Sequence, residues 1–289
     1  MIDVLIIGGG PAGVSAALYT ARAGFSTTII YNGYGALEKA ERVDNFYGRY
    51  GVAGVDLIKD GLEQAKNVGA RIISGEVIKI RLADDFSFIA ETAEAEYPAR
   101  TMLFATGVSR KAPKIPGLAE YEGKGVSYCA VCDAFFYRGK DVAVLGNSQY
   151  ALSEVRELLP IASSVTLLTN GEKPDVKFPP EVKKRTDKIK EIKGDKIITG
   201  VAFESKKRTY PISGLFIAQG TAGGADLARK MGAAIENNDV ITDAQRRTNI
   251  PGLWAAGDCT AGMKQIAKAV YDGAAAGMDI VKYLRGEQE

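Results

Sequence analysis

The stretch Asp3-Val-Leu-Ile-Ile-Gly8-Gly9-Gly10-Pro11-Ala12-Gly13 decides the fold. Residues 3–7 read as a short strand, apolar from Val4 on, that ends abruptly on glycine, which implies a buried parallel strand. Val14–Ala23 then reads as a helix stopped by Gly24, and Ser26–Tyr31 as a second strand, giving a β-α-β unit. Within it Gly8, Gly10 and Gly13 supply G-x-G-x-x-G. The first glycine makes the tight turn and the second lets a pyrophosphate approach the backbone. The third lets the helix pack on the strand, with the helix N-terminus facing the phosphate. Pro11 suits a first helical turn, with Ala12 beside it. The alternative is an ordinary strand-to-helix turn, and the flanking strand and helix favour phosphate binding. The acidic residue expected about 20 positions on, which would bind a ribose, is missing, because Tyr31 and Asn32 stand there.

A second such unit starts at Asp141 with Val-Ala-Val-Leu-Gly, continues through a helix over Tyr150–Leu159 and returns through Ser164–Thr169. Lys173–Pro180, with three prolines, reads as a loop. Gly252-Leu-Trp-Ala-Ala-Gly-Asp258 is another buried strand running into a glycine turn, followed by an Ala-rich helix from about Gln265 to Leu284. The expected architecture is α/β, with two dinucleotide-binding-type modules whose parallel sheets are flanked by helices.

The chain has 289 residues, three cysteines and no histidine. Two cysteines stand in Ser127-Tyr-Cys129-Ala-Val-Cys132-Asp133, one helical turn apart, a spacing that lets them close and reopen a disulfide. Zinc is disfavoured, since there is no histidine and no second C-x-x-C to complete a tetrahedral site, so no metal is expected. Without histidine, proton transfer falls to a carboxylate, tyrosine, lysine or thiol, and Asp133 is placed to serve the thiols. The alternative is a pair of buried small hydrophobes. Cys259 reads as a packing residue. Net charge is only +2, with basic clusters at Lys183–Lys196 and Lys206–Arg208 that read as solvated surface, or as a steering patch for an acidic protein. Nothing in the composition points to nucleic acid. No apolar run approaches the roughly 20 residues of a membrane span. With no leader-like segment before the glycine cluster, a cytoplasmic location is expected.

Together these motifs resemble the low-molecular-weight flavin thioredoxin reductases over essentially the whole chain. Gly8–Gly13 corresponds to that family's FAD pyrophosphate turn. Val43-Asp-Asn45-Phe-Tyr-Gly48 is similar to its V-E-N-x-P-G flavin-contact segment, and Ala105-Thr106-Gly107 to its A-T-G motif. Cys129-Ala-Val-Cys132-Asp133 is similar to its C-A-x-C-D active site. Ala256-Gly257-Asp258 resembles the G-D motif whose Asp holds the FAD ribitol. Lys264-Gln265-Ile266 resembles the R-Q-A/V stretch, where a helix N-terminus points at the flavin. The resemblance implies two Rossmann-like domains of three-layer ββα type: a discontinuous FAD domain over 1–113 and 247–289, and a central domain over 114–246. It implies noncovalent FAD, a homodimer and thioredoxin as partner. Cys132 would be the thiol beside the flavin, Cys129 the attacking thiol and Asp133 the acid/base.

The second module departs from the family pattern. Its turn reads Gly146-Asn147-Ser148-Gln149-Tyr150-Ala151 where the family has G-G-G-x-S-A, and a Cβ on Ser148 crowds the space a pyrophosphate needs. Thr169-Asn170-Gly171-Glu172 stands where NADPH users carry H-R-R-x-x-x-R, and Glu172 would repel a 2′-phosphate. The nearest resemblance is therefore to the ferredoxin-dependent flavin thioredoxin reductases, with electrons passing from ferredoxin through FAD and the Cys129–Cys132 disulfide to thioredoxin. Three alternatives stand: an NADH or NADPH enzyme with an altered site, a flavin dithiol oxidase using oxygen, and a flavoprotein scaffold or redox sensor without turnover.

Overall fold

The computed structural model describes the chain except residues 86, 108–112, 220–223 and 288–289. It forms two compact units, Met1–Ser109 with Gly223–Glu289, and Arg110–Ala222.

The first unit opens with β1 (Ile2–Ile7), α1 (Pro11–Arg22) and β2 (Thr27–Tyr31), followed by α2 (Gly54–Asn67), β3 (Arg71–Ser74), β4 (Lys79–Leu82), β5 (Phe88–Glu91) and β6 (Glu96–Phe104). Strand β1 is the hub of the sheet. It pairs in parallel with β2, Val4 opposite Thr27, and with β6, Ile6 opposite Leu103. Its residues Val4–Leu5–Ile6 are fully buried, which is why the strand reads as an unbroken apolar run. Strands β4, β5 and β6 form an antiparallel extension on the same sheet.

The second unit contains β7 (Val126–Ser127), α3 (Ala130–Asp133), β8 (Asp141–Leu145), α4 (Gln149–Leu158), β9 (Ser164–Leu168), β10 (Lys183–Arg185), β11 (Ile189–Gly194), β12 (Ile198–Phe203), β13 (Tyr210–Pro211) and β14 (Gly214–Ile217). Its parallel sheet runs β10-β9-β8-β14-β7, and β11-β12-β13 make a separate antiparallel sheet. The lysine-rich segment forms β10, an edge strand, and β11. Lys183, Lys184, Lys188, Lys190, Lys193 and Lys196 are exposed there, as suits an edge that must stay unpaired.

The chain then returns to the first unit through α5 (Gly224–Lys230), the hairpin β15 (Ile235–Glu236) and β16 (Asp239–Val240), β17 (Leu253–Ala255) and α6 (Ile266–Arg285). The chain is back in the first unit from Gly224, ahead of position 247, where the resemblance places it. The reason is local packing. A Cβ on Gly224 would fall 1.8 Å from Thr106 Oγ1 and 3.5 Å from Cys259 Cβ, both in the first unit, so α5 begins against that unit's core. The Val240–Thr260 bridge and the Lys264–Asp239 ion pair, at 2.9 Å, fix the hairpin there too.

Helix α6 packs closely along α1. A Cβ on Gly273 would lie 2.1 Å from Ala12 O, and one on Gly277 2.8 Å from Ala16 O. Small residues on both helices let the backbones meet, and Ser15 Oγ donates to Val270 O at 2.8 Å across the contact. The contact anchors α6 directly beneath the turn that opens α1.

Candidate functional site

Between β1 and α1, Gly8 adopts φ +117°, a conformation open in practice only to glycine. A Cβ on it would sit 2.2 Å from Ala105 O, and one on Gly13 2.0 Å from Gly8 O. The turn thus needs glycine at both positions for reasons of backbone contact. Gly10 differs: it is the N-cap of α1, extended, with no side-chain cap, and nothing lies within 4 Å of the place its Cβ would take. With Pro11 at N1, the helix presents uncapped N–H groups over an open space, the arrangement that receives a phosphate.

The other expected cofactor residues gather in this unit. Ala105 is buried and its N–H donates to Ile7 O, while Gly107 takes φ +74°. Gly257, at φ +79°, packs so closely on α1 that a Cβ would lie 2.8 Å from Ala12 Cβ. Beside it, Asp258 Oδ1 is enclosed and has no hydrogen-bond partner among the described residues. Burial pushes the Asp258 carboxyl up from its ordinary range. Lys264 and Lys268 pull it down, and Asp272 and Asp239 push it up. A buried acceptor of this kind suits a ligand that brings hydroxyl donors, such as a ribityl chain. Asn45 and Gln265, far apart in sequence, meet: Asn45 Nδ2 donates to Gln265 Oε1 at 3.1 Å. Gln265 is the N-cap of α6 and Ile266 its first residue, with no side-chain cap. The Lys264 ammonium is bonded to Asp239, Asp258 O and Thr260 O. The residues present fit FAD.

In the second unit Cys129 and Cys132 form a disulfide with Cα atoms 5.3 Å apart. Cys129 caps α3, its Sγ accepting from Cys132 N at 3.1 Å. The two sulfurs are unequal in surroundings, Cys129 being 2% exposed and Cys132 exposed. Asp133 is joined to them through Ser127, whose Oγ donates to Asp133 Oδ2 at 2.6 Å and accepts from Cys129 N at 3.0 Å. From α4, the buried Glu154 accepts from Ala130 N at 2.8 Å, so this helix holds the start of α3. Neither Ser127 nor Glu154 is evident as a site residue from sequence. Ser127 borders the cysteine motif, but Glu154 reaches it only through the fold. Val131, Phe135 and Phe136 make an exposed apolar flank beside the disulfide. Cys259 is fully buried, donates to Phe104 O and Ala256 O, and has its thiol pushed up to about 11 by burial, which makes it inert.

The second module's turn has the same first glycine but a different lining. Asn147 Nδ2 donates to Glu172 Oε2 at 2.9 Å and to Lys173 O at 3.3 Å, and Asn147 O accepts from Asp175 N at 2.8 Å. The loop after β9 is therefore laced onto the turn, with the Glu172 carboxylate held there. The crowding expected from Ser148 is thus joined by a tie through its neighbour Asn147. Among the described residues no group of His, Cys, Asp and Glu is suited to hold a metal, and no helix is long and apolar enough to cross a membrane.

A glycine turn fitted to a dinucleotide, an enclosed acceptor in the same unit and a C-x-x-C disulfide on a second Rossmann-like unit define a flavin-linked disulfide oxidoreductase. The family model of the pyridine nucleotide-disulphide oxidoreductases matches residues 2–273. The chain belongs to this family and, within it, groups with the thioredoxin reductases; it is an FAD flavoprotein. It is 33% identical to a thioredoxin reductase of Aquifex aeolicus, over 99% of this chain and 94% of that one. Among solved structures, the atypical thioredoxin reductase TRi from Desulfovibrio vulgaris Hildenborough is 37% identical, with TM-score 0.91 and 99% of each chain covered. A ferredoxin-flavin thioredoxin reductase from Clostridium acetobutylicum is 30% identical, with TM-score 0.72, 99% of this chain and 98% of that one covered.

Proposed function

We propose that the chain is a thioredoxin reductase whose FAD is reduced by ferredoxin in place of NADPH. The observation that supports the donor half of this reading is the lacing of Glu172, Lys173 and Asp175 onto Asn147, which holds a carboxylate beside the turn that follows Gly146. Like charge there opposes a pyrophosphate or a 2′-phosphate. The exposed lysines of β10 and β11 supply a field that attracts an acidic carrier protein.

FAD, when bound, supplies a two-electron store that a one-electron donor can fill. The chain's own residues do the rest. Gly10 and the start of α1 receive the pyrophosphate, Asp258 accepts from the ribityl hydroxyls, and Asn45 and Gln265 flank the start of α6. Once the pair is a dithiol, the thiolate of Cys129, in the role the family resemblance gives it although Cys132 is the exposed sulfur of the oxidised pair, attacks one sulfur of the thioredoxin disulfide, forming a mixed disulfide and releasing the other sulfur as thiolate. The Cys132 thiolate then attacks Cys129 Sγ, re-forming the Cys129–Cys132 bond and releasing reduced thioredoxin. Asp133, held by Ser127, supplies and removes the protons. Two electrons and two protons enter per thioredoxin dithiol formed. The Val131, Phe135 and Phe136 flank gives a protein substrate an apolar surface to cover during this exchange.

The test is turnover: the protein supplied with chemically or enzymatically reduced ferredoxin and a thioredoxin, with free thiols on thioredoxin counted over time. Two ferredoxins oxidised per thioredoxin reduced is the expected stoichiometry. Peroxide in place of thioredoxin thiols would point to a dithiol oxidase. A second reading, with NADH or NADPH as donor through an altered site, is favoured by the span of the family match, which includes the whole second module.

A further inference from the structure

Lys264 stands just ahead of α6 and Lys268 in its first turn, and both ammonium groups turn back onto the Gly257–Thr260 segment. Lys264 Nζ donates to Thr260 O at 2.6 Å and Asp258 O at 3.0 Å and pairs with Asp239 Oδ1 at 2.9 Å. Lys268 Nζ donates to Gly257 O at 2.8 Å and Thr260 Oγ1 at 2.8 Å and pairs with Asp272 Oδ2 at 2.8 Å. Each ammonium thus has three acceptors, its full donor complement. Asp272, fully buried, holds the same segment from the other side by accepting from Gly257 N at 3.1 Å, and is paired with Arg246 at 2.8 Å.

The segment is therefore gripped at one N–H and at three carbonyls by charged side chains, and Asp258 sits at its centre. Such charge-assisted bonds are stronger and more directional than neutral ones. The charged groups facing Asp258 are Lys264 and Lys268, which favour its ionised form, and Asp239 and Asp272, which oppose it. Without the lysines, burial and two carboxylates would act together. A protonated Asp258 would carry a donor where a ribityl hydroxyl needs an acceptor.

We propose that Lys264 and Lys268 are positioning residues for FAD that act through Asp258, by pinning the turn that carries it. The proposal rests on the reading of Asp258 as an acceptor for FAD. It is tested by stripping the flavin and titrating the full-length apoprotein with FAD, following the quenching of flavin fluorescence, for wild type, Asp258→Asn, Lys264→Met, Lys268→Met and the Asp258→Asn/Lys264→Met double variant. The expected result is a loss of FAD affinity of about tenfold or more in each single variant at neutral pH. In the lysine variants the loss deepens as pH falls. Adding Lys264→Met to Asp258→Asn should change affinity by less than about twofold, because the turn the lysine pins then carries no carboxylate for FAD.

Full affinity in both lysine variants, with Asp258→Asn impaired, would overturn the proposal, as would losses that multiply in the double variant. Wild-type affinity in Asp258→Asn would instead show that Asp258 is not an FAD ligand. Lys268→Met leaves Asp272 buried beside Arg246 alone and is the variant at risk of misfolding. Lys264, whose loss frees the partly exposed Asp239 and two backbone carbonyls but no buried charge, keeps the test valid, with the apoprotein's thermal midpoint confirming the fold.

Discussion

At Gly8 and at Gly146 a Cβ would fall 2.2 Å from a backbone carbonyl, that of Ala105 in one unit and of Ala218 in the other. Both glycines follow a buried parallel strand and precede an uncapped helix, so the two modules share one backbone design. They diverge within the next two residues. Gly10 has nothing within 4 Å of its Cβ position, whereas the second turn carries Asn147, tied to Glu172 and to the backbone of Lys173 and Asp175. The first module keeps its turn for a ligand. The second uses helix α4, through Glu154, to seat the disulfide helix α3. The helix of a Rossmann-like unit can thus support a redox pair whatever the unit's own turn binds.

The sharpest way to separate the two regions is Cys132→Ser, which should lower thioredoxin reduction by roughly 10³-fold or more while leaving the flavin spectrum and FAD content intact. Next come the twin substitutions Gly13→Ala and Gly146→Ala. Each drives a Cβ onto a carbonyl oxygen, 2.0 Å away in the first and 2.2 Å in the second, at a cost of about 1–3 kcal/mol or more. Only Gly13→Ala should shed FAD, and flavin release on gel filtration distinguishes the two. Smaller is the gain from Asn147→Gly/Ser148→Gly/Glu172→Ala, which unlaces the second turn. Nicotinamide affinity should rise by about tenfold, measured by calorimetry, if those residues close the site.

A pH titration sharpens the same contrast. The Asp258 carboxyl of the apoprotein is raised, first by burial, so it binds its proton more tightly folded than unfolded. The apoprotein therefore loses stability as pH rises from the ordinary Asp range through the raised value. FAD affinity moves the other way, falling as pH drops through that value, because the ligand's hydroxyls need the ionised acceptor. The smallest effect is expected at Cys259: after mild reduction, an alkylating agent at neutral pH should modify Cys129 and Cys132 and leave Cys259 untouched, as mass spectrometry would show.

Much of the molecule is legible in sequence where the signal is local. Val4–Ile7 followed by Gly8 announces a buried strand and its turn, and Cys129–Cys132 announces a disulfide, because a few adjacent residues set each geometry. The early return at α5 is not legible, since it rests on Gly224 fitting against Thr106, across more than a hundred residues of chain. Asn147 and Glu172 visibly depart from the family pattern, but their bond to each other depends on how the loop after β9 folds back. Lys264 shows the limit most clearly: its place beside Gln265 reads as cofactor contact, while its ammonium bonds carbonyls of the Asp258 turn.

The electron donor is tested most directly by mixing the oxidised protein anaerobically with reduced ferredoxin, with NADPH and with NADH, and following the loss of flavin absorbance. The closed second turn predicts rapid bleaching by ferredoxin and slow or absent bleaching by either nicotinamide. Rapid bleaching by NADPH or NADH would contradict it, and would mean that Glu172 and Asn147 separate readily to admit a nucleotide.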